Sequence, residues 1–162
     1  MSDDTAQLIA DLTAAGATVA VAESLTGGAV CAELIRPAGA SAVVVGGIVA
    51  YATELKHALL GVDDKLLAEH GPVHAEVAAQ MAAGVRRALA ADGAAATIGV
   101  STTGVAGPDP QSGQQPGTVF VGLDSDERST VVPLTLSGDR DGIRAATVAA
   151  VIELLSTTIN RE

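Results

Sequence analysis

Residues 18–28 read TVAVAESLTGG, a β-prone run that ends in a polar turn containing two glycines. Beyond this turn, apolar residues recur at helical spacing: Val30, Cys31, Leu34 and Ile35. A strand, a tight turn and a helix are the simplest structure for such a pattern. The segment therefore predicts the first unit of an α/β fold, and it places Ser24 at a strand-to-helix turn.

The rest of the chain alternates between helical and β-prone patterns. The spacing predicts helices over residues 3–15, 53–60, 63–70, 75–91 and 139–158, and strands over residues 43–51, 96–101, 118–124 and 129–136. The polar turn at residues 124–127 predicts that the last two strands form an antiparallel hairpin. Together these elements predict a three-layer α/β/α sandwich around a mixed, mostly parallel sheet of five or six strands.

Two features predict where individual strands lie in the sheet. The run from Val43 to Tyr51 is apolar nearly throughout, which is typical of a central strand covered on both faces. Pro133 cannot donate a hydrogen bond to a neighbouring strand, so the strand over residues 129–136 is expected at an edge.

Length and charge restrict the classes of protein to consider. A chain of 162 residues is long enough for one domain, which we take to span residues 1–162. The formal net charge of −10 repels polyanions and therefore disfavours unspecific binding to nucleic acid or to an anionic membrane. The N-terminus lacks the basic-then-apolar order of a secretory signal, and no apolar run reaches the ~20 residues that span a bilayer. A cytoplasmic protein without nucleic-acid or membrane partners is expected.

The residue types that most often bind metals form no recognisable pattern. Cys31 is the only cysteine and lies in an apolar helical pattern, which is typical of a buried, unreactive thiol. His57, His70 and His74 match no zinc spacing, and solvated surface positions explain them better than a Ser-His-Asp triad does. The segment 102–117 lacks both the lysine of a P-loop and a dinucleotide fingerprint. We therefore predict no metal site and no cofactor.

Three polar loops follow predicted strands, at residues 23–28, 51–56 and 102–117. In open α/β sheets, ligands bind beyond the carboxyl ends of the strands. The three loops are therefore expected to meet at one site if their strands are parallel. The third loop is long and rich in glycine, which is typical of a functional loop.

Two of these loops carry candidate catalytic side chains. Ser24 is a weak nucleophile until a base takes its proton, and Lys56 is the candidate base if burial lowers its pKa. Tyr51 leaves a strand close to Lys56 in sequence. Free N–H groups at the start of the helix after Ser24 are expected to bind a phosphate or an oxyanion. The alternatives are structural: Ser24 or Thr26 caps the helix, Lys56 lies exposed and Tyr51 packs.

Arg140 is a candidate ligand for a phosphate. It stands at the start of the last predicted helix, where its charge opposes the helix dipole and does not favour stability. A phosphate of the ligand would explain this placement. An ion pair with Asp139 or Asp141 is the alternative.

Four ordered motifs resemble the CinA C-terminal-domain family across nearly the whole chain. They are AESLTGG at 22–28, YATELK at 51–56 with LGV at 60–62, TGVAGP at 103–108, and GDR at 138–140 with IR at 143–144. The resemblance implies hydrolysis of the carboxamide of nicotinamide mononucleotide (NMN) to nicotinic acid mononucleotide and ammonia, without a metal. It implies Ser24 as the nucleophile, Lys56 as its general base, and Tyr51 as a proton relay or orienting residue. The implied substrate-binding residues are Glu23, Thr26, Gly27, Gly28, Thr103, Gly104, Gly107 and Arg140.

The sequence also departs from the family pattern. His74 stands where a small hydroxyl residue is usual, and residues 110–112 read Pro-Gln-Ser where Gly-Gly-Ser is usual. An amidase or esterase for another small substrate, and a nucleotide-binding module without turnover, are therefore alternatives. In many relatives the domain follows a molybdopterin-binding-like domain, whose activity is not expected of this stand-alone chain. A third alternative is a structural or partner-binding protein in which the helices over 75–91 and 141–157 form an oligomer interface, but the faces of these helices are more typical of an ordinary core. A homo-oligomer is expected, because small α/β enzymes often self-associate.

Overall fold

The structure is a computed structural model that describes residues 3–161. Its helices are α1 (Asp4–Ala15), α2 (Ala29–Ile35), α3 (Thr53–Leu60), α4 (Asp64–His70), α5 (Ala75–Ala88) and α6 (Arg140–Ile159). Its strands are β1 (Val19–Glu23), β2 (Val44–Val49), β3 (Ile98–Gly104), β4 (Thr118–Ser125) and β5 (Ser129–Thr135). Every helix and strand that the sequence predicts is present. The largest boundary differences are at the end of α5, which stops before residue 91, and at the end of β3, which continues past residue 101.

The five strands form one mixed sheet in the order β2-β1-β3-β4-β5. β1 pairs in parallel with β2 on one side and with β3 on the other. β4 is antiparallel to β3, and β5 is antiparallel to β4. β4 alone therefore runs against the other four strands, which confirms the predicted mixed and mostly parallel sheet. The predicted β4–β5 hairpin is also confirmed.

Helices cover both faces of the sheet, which confirms the three-layer sandwich. One face packs against α1, α2 and α6, and the other packs against α3, α4 and α5. β1 contributes to both faces, because Val19 and Val21 lie in the first hydrophobic cluster and Ala20 and Ala22 in the second. This alternation is the period of two that a strand buried on both faces requires.

Glycines in β3 and β4 let α5 lie unusually close to the sheet. A Cβ atom at Gly99 would overlap the main chain of Ala82, and one at Gly122 would overlap the main chain of Ala78. Glycine in a strand commonly marks such a close approach of another backbone. In the second hydrophobic cluster, α5 therefore packs against the sheet through small side chains and main-chain atoms.

The prediction that residues 43–51 form a central strand is wrong, because β2 lies at an edge of the sheet. Its side chains are only partly buried, and Val49 is exposed. β1 occupies the centre because it pairs with strands on both sides. An apolar run predicts that a strand is buried, but it does not predict which strands lie next to it in the sheet. The prediction for Pro133 is confirmed, since β5 forms the other edge.

Within residues 3–161, α6 is the one helix with the length and mean hydropathy of a membrane span. Its inward side packs in the core, where Ile143, Val151 and Leu155 are almost completely buried. Membership of the core accounts for the apolar character of this helix. The structure also places α6 so that Arg140, its first residue, reaches the carboxyl ends of the parallel strands.

Candidate active site

The loops that follow β1, β2 and β3 enclose a cavity of about 300 Å³ at the carboxyl ends of these parallel strands. The three loops therefore meet, as expected for a site at the point where the strand order reverses. Seven of the residues singled out in the sequence line the cavity: Ser24, Tyr51, Lys56, Thr103, Gly104, Gly107 and Arg140.

The Ser24 hydroxyl and the Lys56 amine lie in direct contact inside this cavity. Lys56 Nζ donates to Ser24 Oγ at 3.0 Å, and it also reaches the main-chain oxygens of Ala50 at 2.6 Å and Tyr51 at 3.3 Å. Ser24 and Lys56 are both buried, and Lys56 has no exposed surface. The alternative that Lys56 is an ordinary exposed lysine is therefore wrong.

The burial of Lys56 determines its protonation. No carboxylate among residues 3–161 lies within 4.0 Å of its amine, so the charged form has only neutral partners. Burial lowers the pKa of Lys56 from 10.5 to about 8, and the charge of Glu54 opposes this shift only in part. An amine with a pKa near neutrality can take a proton from a serine hydroxyl and later return it.

Two buried threonines fix the turn that carries Ser24. The Ser24 N–H donates to Thr102 Oγ1 at 3.3 Å, and the hydroxyls of Thr102 and Thr26 are 2.8 Å apart. Arg144 of α6 also stabilises this turn, because its guanidinium donates to the carbonyl oxygens of Leu25 at 2.9 Å and Thr26 at 3.3 Å. These contacts hold Ser24 Oγ towards the cavity.

The start of α2 does not offer the free N–H groups that the sequence led us to expect. The Glu23 carboxylate accepts from the N–H of Val30 at 2.9 Å and of Cys31 at 3.0 Å, and it is buried. The N–H groups of Ala29 and Ala32 donate to main-chain oxygens. All four N-terminal donors of α2 are thus satisfied within the protein, so the predicted phosphate or oxyanion site at this helix is wrong.

Four residues implied as substrate ligands therefore lie outside the cavity lining: Glu23, Thr26, Gly27 and Gly28. Glu23 and Thr26 instead support the Ser24 turn. The N-cap position of α2 is occupied by Gly28, which has no side chain that could cap the helix. The alternative that Ser24 or Thr26 caps this helix is therefore wrong. Gly27 and Gly28 have φ angles of 59° and 102°, a conformation that glycine adopts without strain. In the same turn, the N–H of Leu25 has no acceptor among the described residues.

Arg140 and Tyr51 meet at the mouth of the cavity. Arg140 Nη2 donates to the Tyr51 hydroxyl at 3.3 Å, and Nη1 donates to the carbonyl oxygen of Gly107 at 2.7 Å. Within the described residues, Arg140 forms no ion pair with Asp139 or Asp141, since Asp139 caps α6 instead. The expected alternative of a local ion pair is wrong. Tyr51 is 61% exposed, so the alternative that it simply packs is wrong too.

The loop after β3 forms the opposite wall of the cavity. The buried Thr103 hydroxyl donates to the carbonyl oxygen of Pro72 at 2.6 Å, which joins this wall to the segment before α5. Lining residues that were not predicted to be catalytic or substrate-binding are Leu25, Pro72, Val73, Val105, Ala106, Pro108, Asp109, Pro110 and Gln111. Most belong to segment 102–117, whose length and glycine content were the available signal. No sequence signal marked Pro72 and Val73, because only the fold brings these residues to the cavity.

The histidines and the cysteine lie outside the cavity lining. His57 and His70 are exposed, and His74 is half-buried and caps α5 by accepting from the N–H of Glu76 at 3.2 Å. Within residues 3–161, no group of three potential metal ligands is close enough to hold a metal ion. Burial, followed by the charge of Glu23, raises the pKa of the half-buried Cys31 thiol. Its thiolate is therefore disfavoured.

Known proteins resemble this chain in sequence and in structure. The family model of the CinA C-terminal domain matches residues 2–159. A CinA-like protein of Frankia casuarinae is 48% identical over 139 residues, which cover 86% of this chain and 31% of that protein. The chain thus spans about a third of the length of the curated relatives that it matches.

Solved structures of CinA proteins have the same fold. A competence-damaged protein (CinA) superfamily protein from Klebsiella pneumoniae superposes with a TM-score of 0.91 at 26% identity, covering 98% of this chain and 97% of that one. The competence/damage inducible protein CihA from Agrobacterium tumefaciens superposes with a TM-score of 0.87 at 32% identity, covering 99% and 98%. Sequence, fold and the match to the family model agree. The chain belongs to the CinA C-terminal domain family.

Proposed function

We propose that this chain is a cytoplasmic amidohydrolase that converts NMN and water to nicotinic acid mononucleotide and ammonia. The observation that carries the proposal is the distance of 3.0 Å between Lys56 Nζ and Ser24 Oγ inside a polar cavity. A buried amine in contact with a serine hydroxyl is the arrangement of a Ser-Lys acyl-transfer site. The reaction requires no cofactor and no metal.

In the first half-reaction, neutral Lys56 takes the Ser24 proton while Ser24 Oγ bonds to the carboxamide carbon. The carbonyl electrons move to the oxygen, and the N–H of Leu25 is the donor that we assign to this oxyanion. When the intermediate collapses, the carbon–nitrogen bond breaks, and the Lys56 ammonium gives its proton to the leaving nitrogen. Ammonia leaves, and the acyl group stays on Ser24 as an ester.

In the second half-reaction, water replaces ammonia next to Lys56. Lys56 takes a proton from the water as the water oxygen bonds to the ester carbon. The bond between this carbon and Ser24 Oγ then breaks, and the proton on Lys56 returns to Ser24. The carboxylic acid of nicotinic acid mononucleotide releases its proton to solvent and leaves as the carboxylate, and the site regains its starting protonation.

Arg140 and Tyr51 fit roles in substrate binding. Arg140 is a permanent cation at the mouth of the cavity, where it suits the phosphate of a mononucleotide. The Tyr51 hydroxyl contacts Arg140, whereas only the main-chain oxygen of Tyr51 contacts Lys56. Of the two roles that the family resemblance implies for Tyr51, the contacts favour an orienting residue over a proton relay.

Binding without turnover, or hydrolysis of a different small amide, is a second candidate function. Pro110 and Gln111 line the cavity at positions where the family usually has glycine. Side chains at these positions change the shape of the wall that faces a ligand. The chemistry at Ser24 and the choice of ligand can therefore differ independently.

The test is to incubate the purified protein with NMN and to measure both ammonia and nicotinic acid mononucleotide. We expect the two products in equal amounts, and their loss in Ser24→Ala and in Lys56→Met. Matched controls are Ser129→Ala and Lys65→Met, which remove the same groups from exposed positions. Binding of NMN without product would contradict the deamidase and support the binding module. Release of ammonia from another carboxamide, but not from NMN, would support an amidase for a different small substrate.

A further inference from the structure

The beginning of α6 contacts all three loops that enclose the cavity. Arg140 reaches the loops after β2 and β3 with its two terminal nitrogens. Arg144 reaches the loop after β1, where Nε donates to the carbonyl oxygen of Leu25 at 2.9 Å and Nη2 to that of Thr26 at 3.3 Å. Residues four apart lie on the same side of a helix, so one side of α6 holds the three loops together.

Arg144 does not line the cavity, in contrast to Arg140. Its Nη1 lies 3.9 Å from the carboxylate of Asp141, which is 92% exposed, and an exposed ion pair of this kind contributes little to stability. A Cβ atom placed on Gly27 would lie 3.6 Å from Arg144 Nη2, so the guanidinium lies against the turn that carries Ser24. The main chain of this turn is therefore the principal partner of Arg144.

This turn needs support from outside its own sequence. It ends in two consecutive glycines, Gly27 and Gly28, and glycine has the greatest conformational freedom of all residues. The threonine contacts described above hold its first residue, Ser24. Arg144 holds the next residue, because it bonds to the carbonyl oxygen of Leu25. Leu25 also supplies the N–H that we assign to the oxyanion, so Arg144 fixes the main chain that carries this donor.

We propose that Arg144 is a positioning residue for the acylation of Ser24. By bonding to two carbonyl oxygens of the turn, it keeps the N–H of Leu25 directed at the place where the oxyanion develops. A donor that is held in advance needs no reorganisation during the reaction, and a displacement of about 1 Å can cost about a hundred-fold in rate. The proposal rests on Ser24 as the nucleophile of the proposed function.

A residue of this kind acts on the chemical step and not on the binding of substrate. Arg144→Ala should therefore lower kcat for NMN about a hundred-fold and leave KM close to that of the wild type. Arg87→Ala removes an exposed arginine from α5 and should change neither constant. Circular dichroism verifies that each variant is folded. Arg144→Lys, which keeps the charge but lacks the planar fork of donors, serves if Arg144→Ala does not fold.

A small alkyl fluorophosphonate tests the same positioning without NMN. Ser24 Oγ bonds to phosphorus, the phosphorus–fluorine bond breaks to release fluoride, and Lys56 takes the Ser24 proton. The phosphoryl oxygen needs the same donor as the oxyanion, so the rate of labelling depends on Ser24 and on the N–H of Leu25 together. Intact mass over time gives this rate. We expect Arg144→Ala to be labelled about a hundred-fold more slowly than the wild type, and Ser24→Ala not at all.

Added guanidinium ion tests whether the missing hydrogen bonds cause the loss. The Arg144 side chain is 35% exposed, so a small cation from solvent can enter the space that Arg144→Ala leaves. Guanidinium chloride, at concentrations too low to unfold the protein, should raise the labelling rate of Arg144→Ala. It should not raise the rate of the wild type or of Arg87→Ala.

The outcomes separate this proposal from the deamidase. If the wild type is labelled but does not hydrolyse NMN, the deamidase fails, and the labelling rates of the Arg144 variants still decide the role of Arg144. A folded Arg144 variant that is labelled at the rate of the wild type would overturn the positioning role even if NMN is hydrolysed. A higher KM with unchanged kcat, or no recovery with guanidinium, would overturn it too. A wild type that is not labelled at Ser24 would overturn both proposals.

Discussion

Lys56 Nζ lies 3.0 Å from Ser24 Oγ, and its other two polar contacts are neutral main-chain oxygens. An ammonium surrounded in this way has lost water without gaining a negative partner. Burial therefore disfavours the charged form and brings the pKa of Lys56 to about 8. Burial thus has two measurable effects. It lets Lys56 act as a base, and it lowers the free energy of unfolding whenever Lys56 is charged in the folded protein.

The first prediction concerns the pH dependence of activity. Lys56 acts as a base only when neutral, and with a pKa of about 8 roughly one tenth of the molecules are in that form at neutral pH. The value of kcat/KM should therefore rise with pH and level off above about pH 8. Initial rates of ammonia release across this range, at subsaturating NMN, give the profile. A rate that falls with rising pH across this range would contradict the assignment of Lys56.

The second prediction concerns stability. Below pH 8, Lys56 is protonated in both the folded and the unfolded chain. Between pH 8 and pH 10.5, Lys56 keeps its proton in the unfolded chain but loses it in the folded chain. The free energy of unfolding should then increase with pH, by up to about 3 kcal/mol over this window. Lys56→Met should lack this increase. Urea unfolding of both proteins near pH 7 and near pH 10 measures the difference, since other groups titrate equally in both.

A matched variant separates this effect from the general loss of a lysine. Lys65 lies exposed on α4, so Lys65→Met should follow the pH response of the wild type. If Lys56→Met and the wild type gain the same free energy between the two pH values, the pKa of Lys56 is not lowered in the folded state.

The place of the site could be predicted from the sequence because parallel strands bring their carboxyl ends to one edge. The polar residues after β1, β2 and β3 could be assigned to one cavity on this ground alone. The contact between Ser24 and Lys56 needed the additional fact that α3 turns Lys56 inward, which the spacing of residues 53–60 does not specify. The loops made Ser24 and Lys56 candidates but left an exposed Lys56 as the alternative, and the resemblance to the CinA family favoured the catalytic pair.

The role of Glu23 could not be predicted because its partners are main-chain groups. A carboxylate at the end of a strand, next to a candidate nucleophile, suggests a contact with ligand. In the structure it bonds to N–H groups seven and eight residues later. Every residue except proline offers such a group, so no sequence pattern marks them. The position of β2 was missed for a related reason, since strand order is decided by pairing over long distances in the chain.

The third prediction follows from this role of Glu23. Glu23→Gln keeps one acceptor oxygen but turns an NH₂ group towards a second N–H, so one buried donor at the start of α2 loses its partner. The variant should unfold with a free energy lower by about 1–3 kcal/mol, and kcat should fall because the Ser24 turn is less well held. Thermal unfolding and deamidation rates measure both effects. Glu153→Gln, at an exposed position of α6, should change neither.

The last prediction tests whether Arg140 holds an anionic group of the substrate. A charge-assisted hydrogen bond contributes about 1.5–3 kcal/mol, so Arg140→Gln should raise KM for NMN roughly ten- to hundred-fold. The pH profile of kcat should stay as in the wild type, because Lys56 keeps all three of its contacts. Nicotinamide riboside, which lacks the phosphate, should show a much smaller change in KM for the same variant. Arg87→Gln, which removes an exposed arginine from α5, should leave KM unchanged. Equal losses for substrates with and without phosphate would assign Arg140 to orienting Tyr51 and the Gly107 loop, since those contacts do not depend on the charge of the ligand.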